Sequence, residues 1–202
     1  MRVLVAAVLL AAGAAEAQTP LLDAIAEGKE PVAAILVLGG KADIEARNAA
    51  RETPLHLAAE KDMRAVTRLL LDAGARVRAR TATGETALHH AALNEDPAVA
   101  RLLLDAGTDP HALNDHGESA LHWAAYGGNE AVVSLLLERG AHADVFNLDG
   151  NLPLHGAAAG GHASTVRLLL ARTRHPGMKN LRGKTPRELA RERGHDDVAA
   201  LF

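Results

Sequence analysis

Apolar residues along this chain fall into two alternating kinds of cluster, separated by short polar stretches. The first kind pairs a leucine with two alanines three and four residues on: Leu55 with Ala58-Ala59, Leu88 with Ala91-Ala92, Leu121 with Ala124-Ala125 and Leu154 with Ala157-Ala158. That spacing lines one face of a helix. The second kind is a leucine triplet at 69–71, 102–104, 135–137 and 168–170. Within each kind the members stand 33 residues apart with no insertion. Thr53, Thr86, Ser119 and Thr185 are placed to cap the first helix, and Pro54, Pro153 and Pro186 take its first position. Leu152 breaks that capping series and predicts a weaker helix start. Gly74, Gly107 and Gly140 stop the second helix, and Gly84, Gly117, Gly150 and Gly183 sit in the loop two residues before the next first helix. A strict period of this size means a stack of small units and not a single packed core.

The best copy of the motif reads Ser119-Ala120-Leu121-His122-Trp123-Ala124-Ala125. Its sisters start at Thr53, Thr86 and Leu152, and a degenerate copy starts at Thr185. Together with the leucine triplets and the loop glycines, these residues make the unit similar to the ankyrin repeat. The resemblance covers about residues 19–202 and implies an all-α solenoid of about six helix-turn-helix units joined by β-hairpin-like loops. The units fall at approximately 18–47, 48–80, 81–113, 114–146, 147–179 and 180–202, with the first and last as caps. Asp23 stands where His56, His89 and His122 stand later, as suits an end unit with one face in water. Arg51 replaces the loop glycine of the second unit, Glu95-Asp96 the turn of the third, and 173–176 the exit of the fifth, predicting a reshaped loop into the last unit.

Residues 1–17 read as a secretory signal. Arg2 is the positive residue, Val3 to Ala12 the apolar run, and Ala15-Glu16-Ala17 the small-residue cleavage site. The rival reading is a buried first helix of the array. The signal looks bacterial and predicts a periplasmic or secreted protein starting at Gln18, with no membrane insertion after cleavage. Cysteine is absent, which excludes disulfides, thiolate metal sites and cysteine nucleophiles. The formal net charge of −3 argues against nucleic acid as a general partner. Charge is nonetheless segregated: residues 94–150 carry ten acids against Arg101 and Arg139, a net of −8, whereas 167–193 carry nine bases against Glu188 and Glu192, a net of +7. Such a dipole can orient a charged partner.

Eleven histidines raise the question of a metal. His56, His89, His122 and His155 occupy one repeat position, so each lies a whole unit from the next, about 10 Å in stacked helices, too far to share an ion. The ankyrin resemblance assigns each ring a structural role, bonding the Thr or Ser three residues earlier and the neighbouring loop. His89 and His90 diverge on a helix and do not chelate as a pair. The expectation is no metal, no cofactor, no catalysis and a monomer, with a protein partner. Trp123 and Tyr126 share a helical face, and His90 and Leu93 are their equivalents one unit earlier. In ankyrin-like domains the contact surface is the concave face formed by hairpin tips and first helices. The candidate contact residues are therefore His90, Leu93, Asp115, His116, Glu118, Trp123, Tyr126, Leu148 and Asp149. Gly156 stands where the next indole would be, so Trp123 either fills that space or serves as an exposed anchor. An inhibitor, immunity-type or accessory protein fits these features. A secreted effector acting on another cell, and a small metal-dependent enzyme, are the alternatives.

Overall fold

A computed structural model describes residues 19–202; the signal expectation for 1–17 lies outside the described residues. Twelve helices in six antiparallel pairs make up the described chain. The first helices of the pairs are α1 (Pro20–Ala26), α3 (Pro54–Glu60), α5 (Ala87–Ala91), α7 (Ala120–Gly127), α9 (Pro153–Ala159) and α11 (Pro186–Glu192). The second helices are α2 (Glu30–Leu38), α4 (Arg64–Asp72), α6 (Ala98–Asp105), α8 (Glu130–Glu138), α10 (Ala163–Leu170) and α12 (Asp196–Ala199). Each helix packs on its partner, each first helix on the first helix of the adjoining pair, and the second helices likewise except between α6 and α8, giving two layers. No strand forms among the described residues.

The periodic apolar positions are the interior. Leu70, Leu103, Leu136 and Leu169, the middle residues of the four triplets, are each 0% exposed. The paired alanines of α3, α5, α7 and α9 are buried as completely, and their small side chains let the first helices approach closely. One continuous apolar cluster runs from Leu21 to Ala199. None of these short helices would be stable alone; burial of one face against two neighbours holds them.

Between units the loops pair by backbone. Asn48, Thr81, Asn114, Asn147 and Asn180 each donate their N–H to the carbonyl four residues on, closing a hairpin-like turn. Successive turns are then joined by one bond per step: Ala82 to Ala50, Asp115 to Thr83, Leu148 to His116 and Leu181 to Asp149, at 2.8–3.0 Å. A Cβ on Gly150 would lie 3.0 Å from the Leu181 nitrogen, so glycine is needed for this approach as well as for its φ of +72°. Arg51 adopts the same left-handed conformation without being glycine, at φ +61°. Its carbonyl accepts from Arg47 Nη1 at 3.1 Å, a local bond that helps hold the turn.

The helix after Leu152 is as long as the one after Thr53, seven residues each, and the Leu152 N–H still donates to His155 Nδ1 at 3.0 Å. Only the hydroxyl contact is lost. The irregular exit of the fifth pair does not propagate either. Thr173 Oγ1 and the Arg174 N–H both bond the Asp144 carboxylate, and the following turn keeps its Asn180-to-Lys184 and Leu181-to-Asp149 bonds.

Candidate functional site

Four buried histidines tie each first helix to the next unit. At α3, His56 Nδ1 accepts from the Thr53 N–H at 3.2 Å and lies 2.8 Å from the Thr53 hydroxyl. An Nδ1 that accepts from a backbone N–H leaves the proton of the neutral ring on Nε2, which donates to the Glu85 carbonyl at 3.2 Å. The same pattern repeats from His89 to Glu118, from His122 to Asn151 and from His155 to Lys184. Burial pushes all four imidazoles below their ordinary value. For His56 and His89 the value falls to about 4, with the nearby His90 adding to the effect at both. These rings are scaffold: neutral, saturated with partners and shut off from solvent.

The residue after each histidine varies where the histidine does not. It is Leu57, His90, Trp123 and Gly156 in successive units. The Trp123 indole leans back toward the preceding unit, edge-on to His89 and His90 at centroid distances of 5.6 and 6.0 Å. Its Nε1–H donates to Glu118 Oε2 at 2.9 Å, so the polar edge of the half-buried ring has a fixed partner. The indole therefore does not fill the space beside Gly156. A Cβ built on Gly156 would instead meet Tyr126 backbone and Cβ at 3.5 Å.

That position lines a groove of about 520 Å³. Leu93, Trp123, Tyr126, Gly156 and Ala159 give it an apolar wall, and Leu189 continues that wall. Glu118 and Asp149 line it from the acidic segment, and Arg182 and Arg193 from the basic one. The two halves of the charge dipole thus meet across one cleft. Tyr126 is 64% exposed and Leu93 50% exposed, and the two occupy the same register position of adjoining units.

The groove gathers Leu93, Glu118, Trp123, Tyr126 and Asp149 from the residues expected by sequence. It does not include the others. Asp115, His116 and Leu148 lie on the loop tips, exposed, and the next tip carries the exposed Leu181, whose N–H donates to the Asp149 carbonyl. His90 is buried, packed between His56 and Trp123, and is no contact surface. Leu181, Arg182, Leu189 and Arg193 were missed. The signal for them was in the register: Leu181 follows Leu148 by one period, and Leu189 follows Gly156 by one period. Among the described residues one group brings together three atoms able to ligate a metal, from Glu52, Glu60 and His90. No described helix is long and apolar enough to cross a membrane.

A family model described as ankyrin repeats matches the chain in three overlapping copies, at residues 21–114, 65–147 and 98–180. No curated protein matches it.

Proposed function

The chain belongs to the ankyrin-repeat family, whose repeats generally mediate protein–protein interaction, and from that premise we propose that it binds a protein segment in the groove over Gly156. One observation carries this reading. The array is regular everywhere that packing requires it, and it leaves one helix position empty beside two exposed apolar side chains and charges of both signs. An inserted apolar side chain would bury Tyr126 and Leu93, while flanking charges would find Arg182 and Arg193 on one wall and Asp149 on the other. Aromatic residues at the centre of a cleft with a polar rim are where binding energy concentrates. The loop tips around Asp115, His116 and Leu148 extend the contact surface.

The N-terminal pattern of Arg2, Val3 to Ala12 and Ala15-Glu16-Ala17 supports export, with the partner in the periplasm or outside the cell. An inhibitor, immunity-type or accessory role toward another exported protein is the job proposed for that binding.

Gly156→Leu is the sharpest test. The position is helical without a positive φ and a Cβ there meets only ordinary contacts at 3.5 Å, so the backbone accepts a side chain, which is expected to fill the groove. Affinity for a partner recovered with the native protein is expected to fall at least about tenfold in this variant and in Tyr126→Ala. Unchanged affinity in both, with native circular dichroism, removes the groove from the interface. A native N-terminus at Met1 and not Gln18 would defeat the export reading.

A further inference from the structure

We propose that Glu52, Glu60 and His90 form a site for one divalent transition-metal ion of the zinc type, distinct from the groove over Gly156. A ring nitrogen of His90 and one carboxylate oxygen from each glutamate all lie within 4.8 Å of one another. A tetrahedral ion with ligands at 2.0–2.1 Å holds them about 3.3 Å apart, so modest side-chain rotation closes the set. Glu60 is exposed, and its one pairing, with Lys61 Nζ at 3.5 Å, is a surface contact weak enough to yield to that rotation. His90 is already fixed, 8% exposed and edge-on to His56 at 5.6 Å and Trp123 at 6.0 Å.

The independent sign of a ligand is the His90 ring itself. Its Nε2 is buried and has no hydrogen-bond partner, although the other four helix histidines are fully bonded. The nearest acid to that atom is Glu85 Oε2 at 3.6 Å, which supplies a third carboxylate at the edge of the cluster. Leaving a buried imidazole nitrogen unbonded is costly, and three carboxylates around it repel one another; a cation removes both penalties. Outer partners hold the acids in place. Asn48 Nδ2 donates to Glu52 Oε2 at 2.6 Å, and the Thr81 hydroxyl to Glu85 Oε2 at 3.1 Å. Such contacts orient ligands in metal sites. One imidazole with carboxylates favours zinc-like ions over magnesium or calcium, which take oxygen alone.

The constellation occurs once in the periodic array. The His90 position is Leu57, Trp123 and Gly156 in neighbouring units, and the Glu60 position is Leu93, Tyr126 and Ala159. Packing does not demand it. It also departs from the metal-free expectation, because the ligands come from two units and their spacing in sequence carries no metal signature.

The test is a titration of the chelator-treated protein, carrying no histidine tag, with Co²⁺ followed by visible absorption, and with Zn²⁺ in competition. One equivalent is expected to bind, with the absorption of a nitrogen–oxygen ligand set. His90→Leu, which installs the side chain of the preceding unit, and Glu60→Gln should each weaken binding by at least about tenfold, while His111→Ala leaves it unchanged. No saturable binding overturns the proposal, as does wild-type affinity in the variants. Should His90→Leu fail to fold, Glu60→Gln decides alone, since its exposed side chain is not part of the core.

Discussion

Protonating the buried histidines should dismantle the array, and the size of the effect follows from their environment. His56 and His89 have ordinary values of 6.5 and folded values of about 4. Between those two pH values the unfolded chain binds a proton at each site and the native chain does not, so stability rises with pH across the window. The contribution is fully present above 6.5 and is lost as pH falls toward 4. At pH near 5 the loss is about 2 kcal/mol per ring, or about 4 kcal/mol for the two. His122 and His155 shift in the same direction and add to it. Against a typical folding stability of about 5–15 kcal/mol, the pair alone is a large share.

His89→Gln isolates one ring. A glutamine at this helix position can still accept the Thr86 N–H, as the third-position Glu or Gln of a capping box does. It cannot also donate to the Glu118 carbonyl, so the variant is expected to lose about 1–2 kcal/mol near pH 7.5. What it gains is indifference to pH at this one site. Urea unfolding near pH 7.5 and near pH 5, followed by circular dichroism, should show the variant losing about 2 kcal/mol less than the wild type over that interval. A variant with the wild-type pH dependence would refute the reasoning, because the titrating ring would then not be the one buried at this interface.

Two further substitutions probe the turns. Gly128→Ala places a Cβ at φ +72° and within 2.3–2.7 Å of the His162 ring, which is bonded to the Tyr126 carbonyl at 2.9 Å; a loss of at least about 1–2 kcal/mol in thermal unfolding is expected, and a neutral result would mean that the turn rearranges freely. Asn147→Ala removes the Oδ1 that accepts from the Asp149 and Asn151 N–H groups at 3.0 and 2.8 Å; it should cost about 1–2 kcal/mol and raise amide exchange in the tip that carries Leu148, with unaltered exchange there counting against the role.

The fold was legible because its determinants repeat. Each buried leucine, capping residue and loop glycine recurs at one spacing, so a feature too weak to read once became plain when read four or five times. Leu152 shows the limit of reading by motif: the cap looked broken, yet the bond that matters comes from its backbone N–H to His155, which substitution does not remove. Trp123 shows another limit. Its position was known, but whether the ring turned toward Gly156 or toward His89 depended on Glu118, five residues earlier, accepting its Nε1–H. The groove and the Glu52–Glu60–His90 cluster were harder still, since both arise between units.

Specificity in such an array has to come from departures from the period. Positions that hold the stack together are filled nearly alike in the internal units and do little to distinguish one partner from another. The position after each conserved histidine is different, because packing tolerates leucine, histidine, tryptophan and glycine there in turn. Each choice sets what lies between one first helix and the next. Histidine makes a buried nitrogen facing carboxylates; tryptophan seals the following step against His89 and His90; glycine opens a cleft. The groove depends on both neighbours at once, since Trp123 must lean away from Gly156 for the space to stay open. Exchanging the residues at 123 and 156 would therefore be expected to close the cleft, because a tryptophan at 156 that leans back one unit fills the gap left at 123, and partner affinity should fall with it.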